Sequence, residues 1–322
     1  MRLLTPLLAT LMACLPLASQ AQGTYPARAI RLVVPAPPGG GADALARAVA
    51  TALTDQKGWT VVVDNKSGAG GNIAGAEVAR ATPDGYTFLL GDSGQLAINP
   101  SLYKSMAFDP QKDFTPVAYV ADFPFLMVAG RSATARTVAD LIAQARKAPG
   151  AVAYASTGVG TPQHLGGHLF ATMAGVQLLH TPYRGGAPAT AALLGGEVPI
   201  GFVGLPPMVA QVRGGKLHAL AISSKERSAL LPDVPTMAES GLPGYEAKVW
   251  FGWVGPAGLP APIVQTVSKA LADVLKNPAM DKRLADLGLR GDVSGPESLS
   301  KIMRSEAVKW AEVVKSSGAS SD

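Results

Sequence analysis

The chain has 322 residues, 48% of them hydrophobic and 16% charged, with a formal net charge of +5. That balance excludes a disordered chain and supplies a sizeable core, as one large domain or two ordinary ones. The cations form no Lys/Arg run and are scarcely interleaved with aromatics, so no nucleic-acid partner is expected.

The opening stretch, "MRLLTPLLATLMACLPLASQAQ", has one early cation (Arg2), an apolar run and then Ser19-Gln20-Ala21. Small residues just ahead of a cut after Ala21 suit signal peptidase, so residues 1–21 read as a secretory signal peptide and the mature protein as periplasmic. The run is too short and too proline-broken to span a bilayer. It holds the only cysteine, Cys14, and "LMAC" is a weak lipobox-like match that leaves a lipid-anchored alternative.

Beyond the leader, strands and helices alternate. "AIRLVVP" reads as a buried strand, "GADALARAVATAL" as a helix, "WTVVVDN" as a strand, "GNIAGAEVARAT" as a helix and "YTFLLGDS" as a third strand. Continuous Val/Ile/Leu runs between helices predict an α/β class with parallel sheet covered on both faces. A second such series runs from "LMVAG" to "LHALAIS". Two extended aromatic-rich segments, "FTPVAYVADFPF" and "YEAKVWFGWVGP", read as crossings between two lobes. The expected division is residues 22–121 with 250–322 in one lobe and 122–249 in the other. The tail, "PAPIVQTVSKALADVLKN" and "PESLSKIMRSEAVKWAEVVKSS", is helical, each segment starting at proline.

Two glycine clusters stand between strand and helix. The first, "PAPPGGGAD", fits a dinucleotide fingerprint (Gly39-x-Gly41-x-x-Ala44, with Asp64 about 20 residues on). Pro37 and Pro38 remove backbone donors where a pyrophosphate needs them, so no nucleotide cofactor is expected. The second cluster is "NKSGAGGNIAG". Adjacent βα loops lie side by side at the carboxyl edge of a parallel sheet, so two sets of N–H groups and two helix N-termini converge there. Charge-assisted hydrogen bonds at about 1.5–3 kcal/mol each and helix ends at about 0.3–1 reach the roughly 8 kcal/mol of micromolar affinity. A carboxylate is thereby held without an arginine. Asp43, one residue into the helix, is expected to stabilise its first turn and to point away from that nest.

"GDSG" around Ser93 resembles hydrolase signatures, and an exported hydrolase using Ser93 is the alternative function. A serine nucleophile needs a histidine base, and His164, His168, His180 and His218 all lie outside the positions those signatures require. A ligand-facing hydroxyl suits Ser93 better. His164 and His168 have a zinc-clamping i, i+4 spacing with no evident third ligand, so no metal is expected.

Over nearly the whole mature chain, "YPARAIRLVVPAPPGGGAD", "VVVDNKSGAGGNIA", "TPDGYTFLLGDSG", "YASTGVGTPQHLGGHLF", "HTPYRGGAPA", "GKLHALAISSKERSALLPDVPTMAESGLPGYE" and "WFGWVGPAGLPAPIV" occur in an order that resembles the substrate-binding proteins of tripartite tricarboxylate transporters, the Bug family. The resemblance implies a type II periplasmic-binding-protein fold, with two α/β lobes closing on a small carboxylate. It implies a non-catalytic monomer that hands its ligand to the transmembrane permease subunits. Its carboxylate cradle maps onto Gly40, Gly41 and Ala42 with Ala69 and Gly70, completed by Ser93. The other lobe supplies Ser156, Thr157, Thr161 and His164, with Tyr183 nearby.

Four positions depart from the family pattern. Ala36 replaces an aromatic of the pocket wall, and Ala42 replaces a threonine before Asp43. His168 stands where a glutamate is common. Val203-Gly204-Leu205-Pro206 replaces an Asp-Asn-Leu-Pro run. An acid at 203 would meet a ligand's ammonium and Val203 cannot, so the ligand is expected to be an amine-free di- or aromatic carboxylate.

Overall fold

Ile30, Leu32, Val33 and Val34 are all buried along strand β1 (Ile30–Val34), the pattern of a strand with helices on both faces. The computed structural model describes residues 25–292 and 294–321. The leader, the Ala21 cut and Cys14 lie outside them. Helix α1 (Gly41–Lys57), β2 (Val61–Asn65), a 3-10 turn (Ala69–Gly71), α2 (Asn72–Ala79) and β3 (Thr87–Asp92) follow. β1 pairs in parallel with β2 on one side and β3 on the other. Three strand ends, each followed by a loop, therefore share one edge of the sheet. Asp64, the acid of the dinucleotide fingerprint, is taken by the Arg31 guanidinium.

A π-helical turn (Gly94–Ile98) and α3 (Asn99–Leu102) lead into β4 (Phe114–Ala129). The second series comprises α4 (Val138–Lys147), β5 (Ala153–Ser156), α5 (Pro162–Ala174), β6 (Leu179–Pro182), α6 (Gly186–Gly195), β7 (Ile200–Gly204), α7 (Leu205–Arg213) and β8 (His218–Ile222). The chain returns through β9 (Lys248–Pro256) and ends with α8 (Ala261–Leu275), α9 (Pro278–Asp286), β10 (Arg290–Gly291) and α10 (Pro296–Ser317). Among the described residues no helix is long and apolar enough to cross a membrane.

The strands run in the order β2-β1-β3-β9-β4-β7-β5-β6, with β8 and β10 also on β4. The sheet departs from the all-parallel expectation at its middle, where β9 is antiparallel to both β3 and β4. The cause is topological: one crossing leaves the first lobe and the other returns to it, so two crossings that pair must run in opposite directions. β4 serves both halves. Its residues up to Pro124 pair with β9, and Phe125 to Ala129 pair with β7. Because side chains alternate along a strand, Phe125, Met127 and Ala129 enter the larger core while Leu126 and Val128 enter a smaller one in the second half.

Candidate functional site

The loops after β1, β2 and β3 face the loop between β5 and α5 across a cavity of about 350 Å³. Pro35 and Pro37, Gly68, Gly70 and Gly71, and Asp92 and Gly94 reach it from one lobe; Val159, Gly160 and Thr161 reach it from the other. A carboxylate with a chain of several carbons fits such a volume.

The first loop ends at Gly40, the N-cap of α1, with no side chain capping that helix. The N–H groups of Gly41 and Ala42 therefore have no partner within the helix. Asp43 is buried and folds onto its own loop, where it accepts Gly39 N–H at 2.9 Å and Arg47 Nε at 3.0 Å. Arg47, then Gly39, holds its carboxyl down at about 2. The charge is thus neutralised locally, at the cost of one loop donor, Gly39 N–H. Ala36 is partly buried against the core, and its carbonyl accepts Asn65 Nδ2 at 3.0 Å.

The second loop is stranger in backbone terms. Gly68, Ala69, Gly70 and Gly71 stand in succession at φ of 129°, 46°, 60° and 89°. Ala69 is the one non-glycine at positive φ among the described residues. Successive N–H groups in such a run line an anion-binding concavity. Its shape is fixed from below. Gly70 C=O accepts Gln95 Nε2 at 2.8 Å and Asn99 Nδ2 at 3.1 Å, while Gln95 Oε1 accepts Asp92 N–H at 2.9 Å. Gln95 and Asn99 are both buried. They went unread in the sequence, although two amides four residues apart in the apolar run "QLAIN" mark one polar helical face that something must satisfy.

Ser93 is fully buried, and its Oγ makes no hydrogen bond with any described residue. It is therefore not coupled to a histidine base, as a nucleophile would require. The residues on either side of it, Asp92 and Gly94, are the ones that reach the cavity.

In the second lobe Thr161 caps α5. Its Oγ1 accepts His164 N–H at 3.3 Å and donates to Gly158 C=O at 2.8 Å. Its neighbours depart from the expected ligand-facing roles, because their polar atoms are engaged within the loop. Ser156 Oγ is shared between Gly158 and His180 Nε2, the latter at 2.7 Å, and Thr157 Oγ1 donates to Gln163 Oε1 at 3.0 Å. His164 Nδ1 accepts Gly160 N–H at 3.0 Å, and its ring stacks on His180 with centroids 3.7 Å apart. Burial holds the two imidazoles down at about 3 and about 4, so both are neutral at ordinary pH. His164 positions the loop. Tyr183 does likewise through its N–H to Ser156 C=O at 3.1 Å, with its ring against the second core.

Val203 is the clearest correction. It is 1% exposed and packed in the second core, because its neighbour Phe202 takes the other face of β7. The contrast between an acid and a valine at 203 therefore does not reach the cavity.

Comparison with known proteins agrees with this architecture. Residues 45–319 match the model of the tripartite tricarboxylate transporter family receptor. The protein BugT of Bordetella pertussis is 37% identical over 297 residues, 92% of this chain and 91% of that one. Among solved structures, R. palustris Rpa4515 with adipate superposes with a TM-score of 0.81 at 36% identity, covering 92% of this chain and 99% of that one. MatC (Rpa3494) from Rhodopseudomonas palustris with bound malate gives 0.76 at 31%, covering 90% and 100%. The periplasmic binding protein BugD gives 0.77 at 36%, covering 92% and 100%. The fold is thus the two-lobed periplasmic-binding fold, and the chain belongs to the receptors of the tripartite tricarboxylate transporter family, the Bug proteins.

Proposed function

We propose that the protein is a periplasmic receptor that captures a small carboxylate in the interlobe cavity and passes it to the membrane subunits of a tripartite transporter. The observation that carries this reading is that the loops after β1 and β2, each opening a helix with no side-chain cap, reach one cavity, the first through Pro35 and Pro37 and the second through Gly68, Gly70 and Gly71. Backbone N–H groups of Gly40, Gly41, Ala42, Ala69 and Gly70 would hold one carboxylate, with Thr161 closing over it from residues 122–249, the second lobe. Adipate and malate in two relatives support the ligand class.

No chemistry is performed on the ligand in this reading; Ser93 Oγ, the one nucleophile considered, stands apart from any base. Calorimetry with C4 to C6 dicarboxylates tests the proposal. Micromolar binding by one of them is expected, lost in Gly70→Ala, whose added Cβ would stand 2.7 Å from Tyr103 Oη at φ +60°. Turnover of activated esters, abolished by Ser93→Ala, would sink it.

A further inference from the structure

We infer that Asp92 sets ligand specificity: its carboxylate on the cavity wall favours a hydrogen-bond donor, hydroxyl or ammonium, on the bound carboxylate and disfavours a bare second carboxylate at that point. The inference rests on the carboxylate reading above and names which carboxylates qualify.

Asp92 ends β3 at the carboxyl edge of the sheet and lines the cavity between the two lobes. Its Oδ1 is fixed by Gly94 N–H at 2.6 Å, and its own N–H donates to Gln95 Oε1 at 2.9 Å. Backbone and side chain are thus both pinned. Gln95 also bonds the carboxyl, and among the described residues no cation pairs with it. Asp92 is the one acidic side chain on the described cavity wall, and no Lys or Arg lines it. Asp43, the other acid of the glycine loops, is neutralised by Arg47 and is absent from that wall.

A carboxylate entering such a cavity brings a second negative charge with no counter-ion, and one of its two ends must approach Asp92. Like charges in a confined, weakly screened space repel, whereas a donor on the ligand turns the same oxygen into a charge-assisted hydrogen bond. Burial already pushes the Asp92 carboxyl upward, despite its bonds from Gly94 and Gln95, so its charge is held at a cost that a ligand donor would relieve. With Val203 sealed in the core, Asp92 is the residue placed to discriminate.

Two matched series share a carbon skeleton and differ only in the group on C2: succinate, malate and aspartate, then adipate, 2-hydroxyadipate and 2-aminoadipate. Calorimetry on the wild type is expected to give a donor-bearing member at least tenfold tighter binding than its unsubstituted parent in the series that fits. A malate or hydroxyadipate optimum assigns the donor as hydroxyl, an aspartate or aminoadipate optimum as ammonium. Asp92→Asn keeps the Oδ1 acceptor for Gly94, so the loop is preserved and only the charge is removed. It should tighten the parent dicarboxylate and compress the preference to less than threefold. If the parents bind as tightly as their C2 derivatives, or if Asp92→Asn leaves the order unchanged, the inference is overturned while the carboxylate reading stands. If none of the six binds either protein, both fall together.

Discussion

Gly160 of the second lobe lies directly against Leu102 of the first: a Cβ built on Gly160 would stand 2.3 Å from one Leu102 methyl and 2.7 Å from the other. Both residues line the cavity, so this is one of the contacts through which the lobes meet beside it. Gly160 also sits at φ +71°, which costs a residue with a side chain about 1–2 kcal/mol. Gly160→Ala is expected to hold the lobes apart and weaken ligand binding about tenfold or more. Leu102→Ala in the same chain should restore part of that loss by making room. Calorimetry on the single and double variants reads both effects, and a Gly160→Ala protein that binds like wild type would show that closure does not pass through this contact.

The stacked imidazoles of His164 and His180 predict acid sensitivity. Burial lowers both in the folded state, to about 3 and about 4, while an unfolded chain takes up those protons near pH 6.5. Between these limits the unfolded state binds more protons, so stability is full above about pH 6.5 and falls as pH drops toward 4. Asp43, held at about 2, loses its contribution as pH falls from the ordinary carboxylate value near 4 toward 2, below most of the histidine window. Melting temperature against pH should show a decline from pH 6.5 to 4 that is smaller in His180→Gln. A flat profile over that window would contradict the burial of the pair.

How much of this was legible in the sequence follows from what each residue touches. The glycine clusters were legible because glycine adopts positive φ at least cost and fills three of the four positions in the run from residue 68 to 71, and the apolar strands before them fixed which sheet edge they crown. The crossings were visible as aromatic-rich extended segments. Their antiparallel pairing was not, because direction belongs to the connection and leaves no local trace. His164 and Val203 misled for one shared reason: spacing places a residue near a loop but not on a given side of it. His164 turned under the loop, and Val203 turned into the core by the alternation of β7. Gln95 and Asn99 contact the loop through its carbonyl, a partner that no side-chain pattern announces.

Those two amides make a separate prediction. Gln95→Ala removes one of the donors to Gly70 C=O together with the acceptor for Asp92 N–H, leaving partly buried backbone groups short of partners. Each such loss costs about 1–3 kcal/mol. For a chain of this size about 1 kcal/mol lowers the melting temperature by roughly 2–4 °C. A drop of several degrees is therefore expected, together with about tenfold weaker carboxylate binding as the second loop loosens. Asn99→Ala should act in the same direction, since Asn99 holds the same carbonyl and also bonds Asn72 Oδ1 at 2.7 Å. Unchanged affinity in both variants would mean that the loop keeps its shape by backbone conformation alone.

The crossing strands carry one buried charge, and its removal separates folding from lobe motion. Asp122 on β4 is 3% exposed and accepts Tyr119 Oη at 2.7 Å, Lys248 Nζ at 3.0 Å and an Arg290 nitrogen at 3.2 Å. Lys248 begins the returning strand β9, so the carboxylate ties the outgoing crossing to the incoming one at the level where β4 changes partners. Breaking a fully buried pair costs about 3–5 kcal/mol. Here Lys248 keeps Glu246 at 3.8 Å and the exposed Arg290 keeps Glu226 at 3.6 Å, which brings the cost of Asp122→Ala to about 1–3 kcal/mol. Asp122→Asn, which still accepts from Tyr119, should lose less. Thermal melts measure that ordering, and calorimetry on the same proteins measures the second consequence. A tie across both crossings sets how freely the lobes swing, so Asp122→Ala should change ligand affinity by more than Asp122→Asn does. A fall in melting temperature with affinity untouched would assign the network to folding alone and place the hinge elsewhere along β4 and β9.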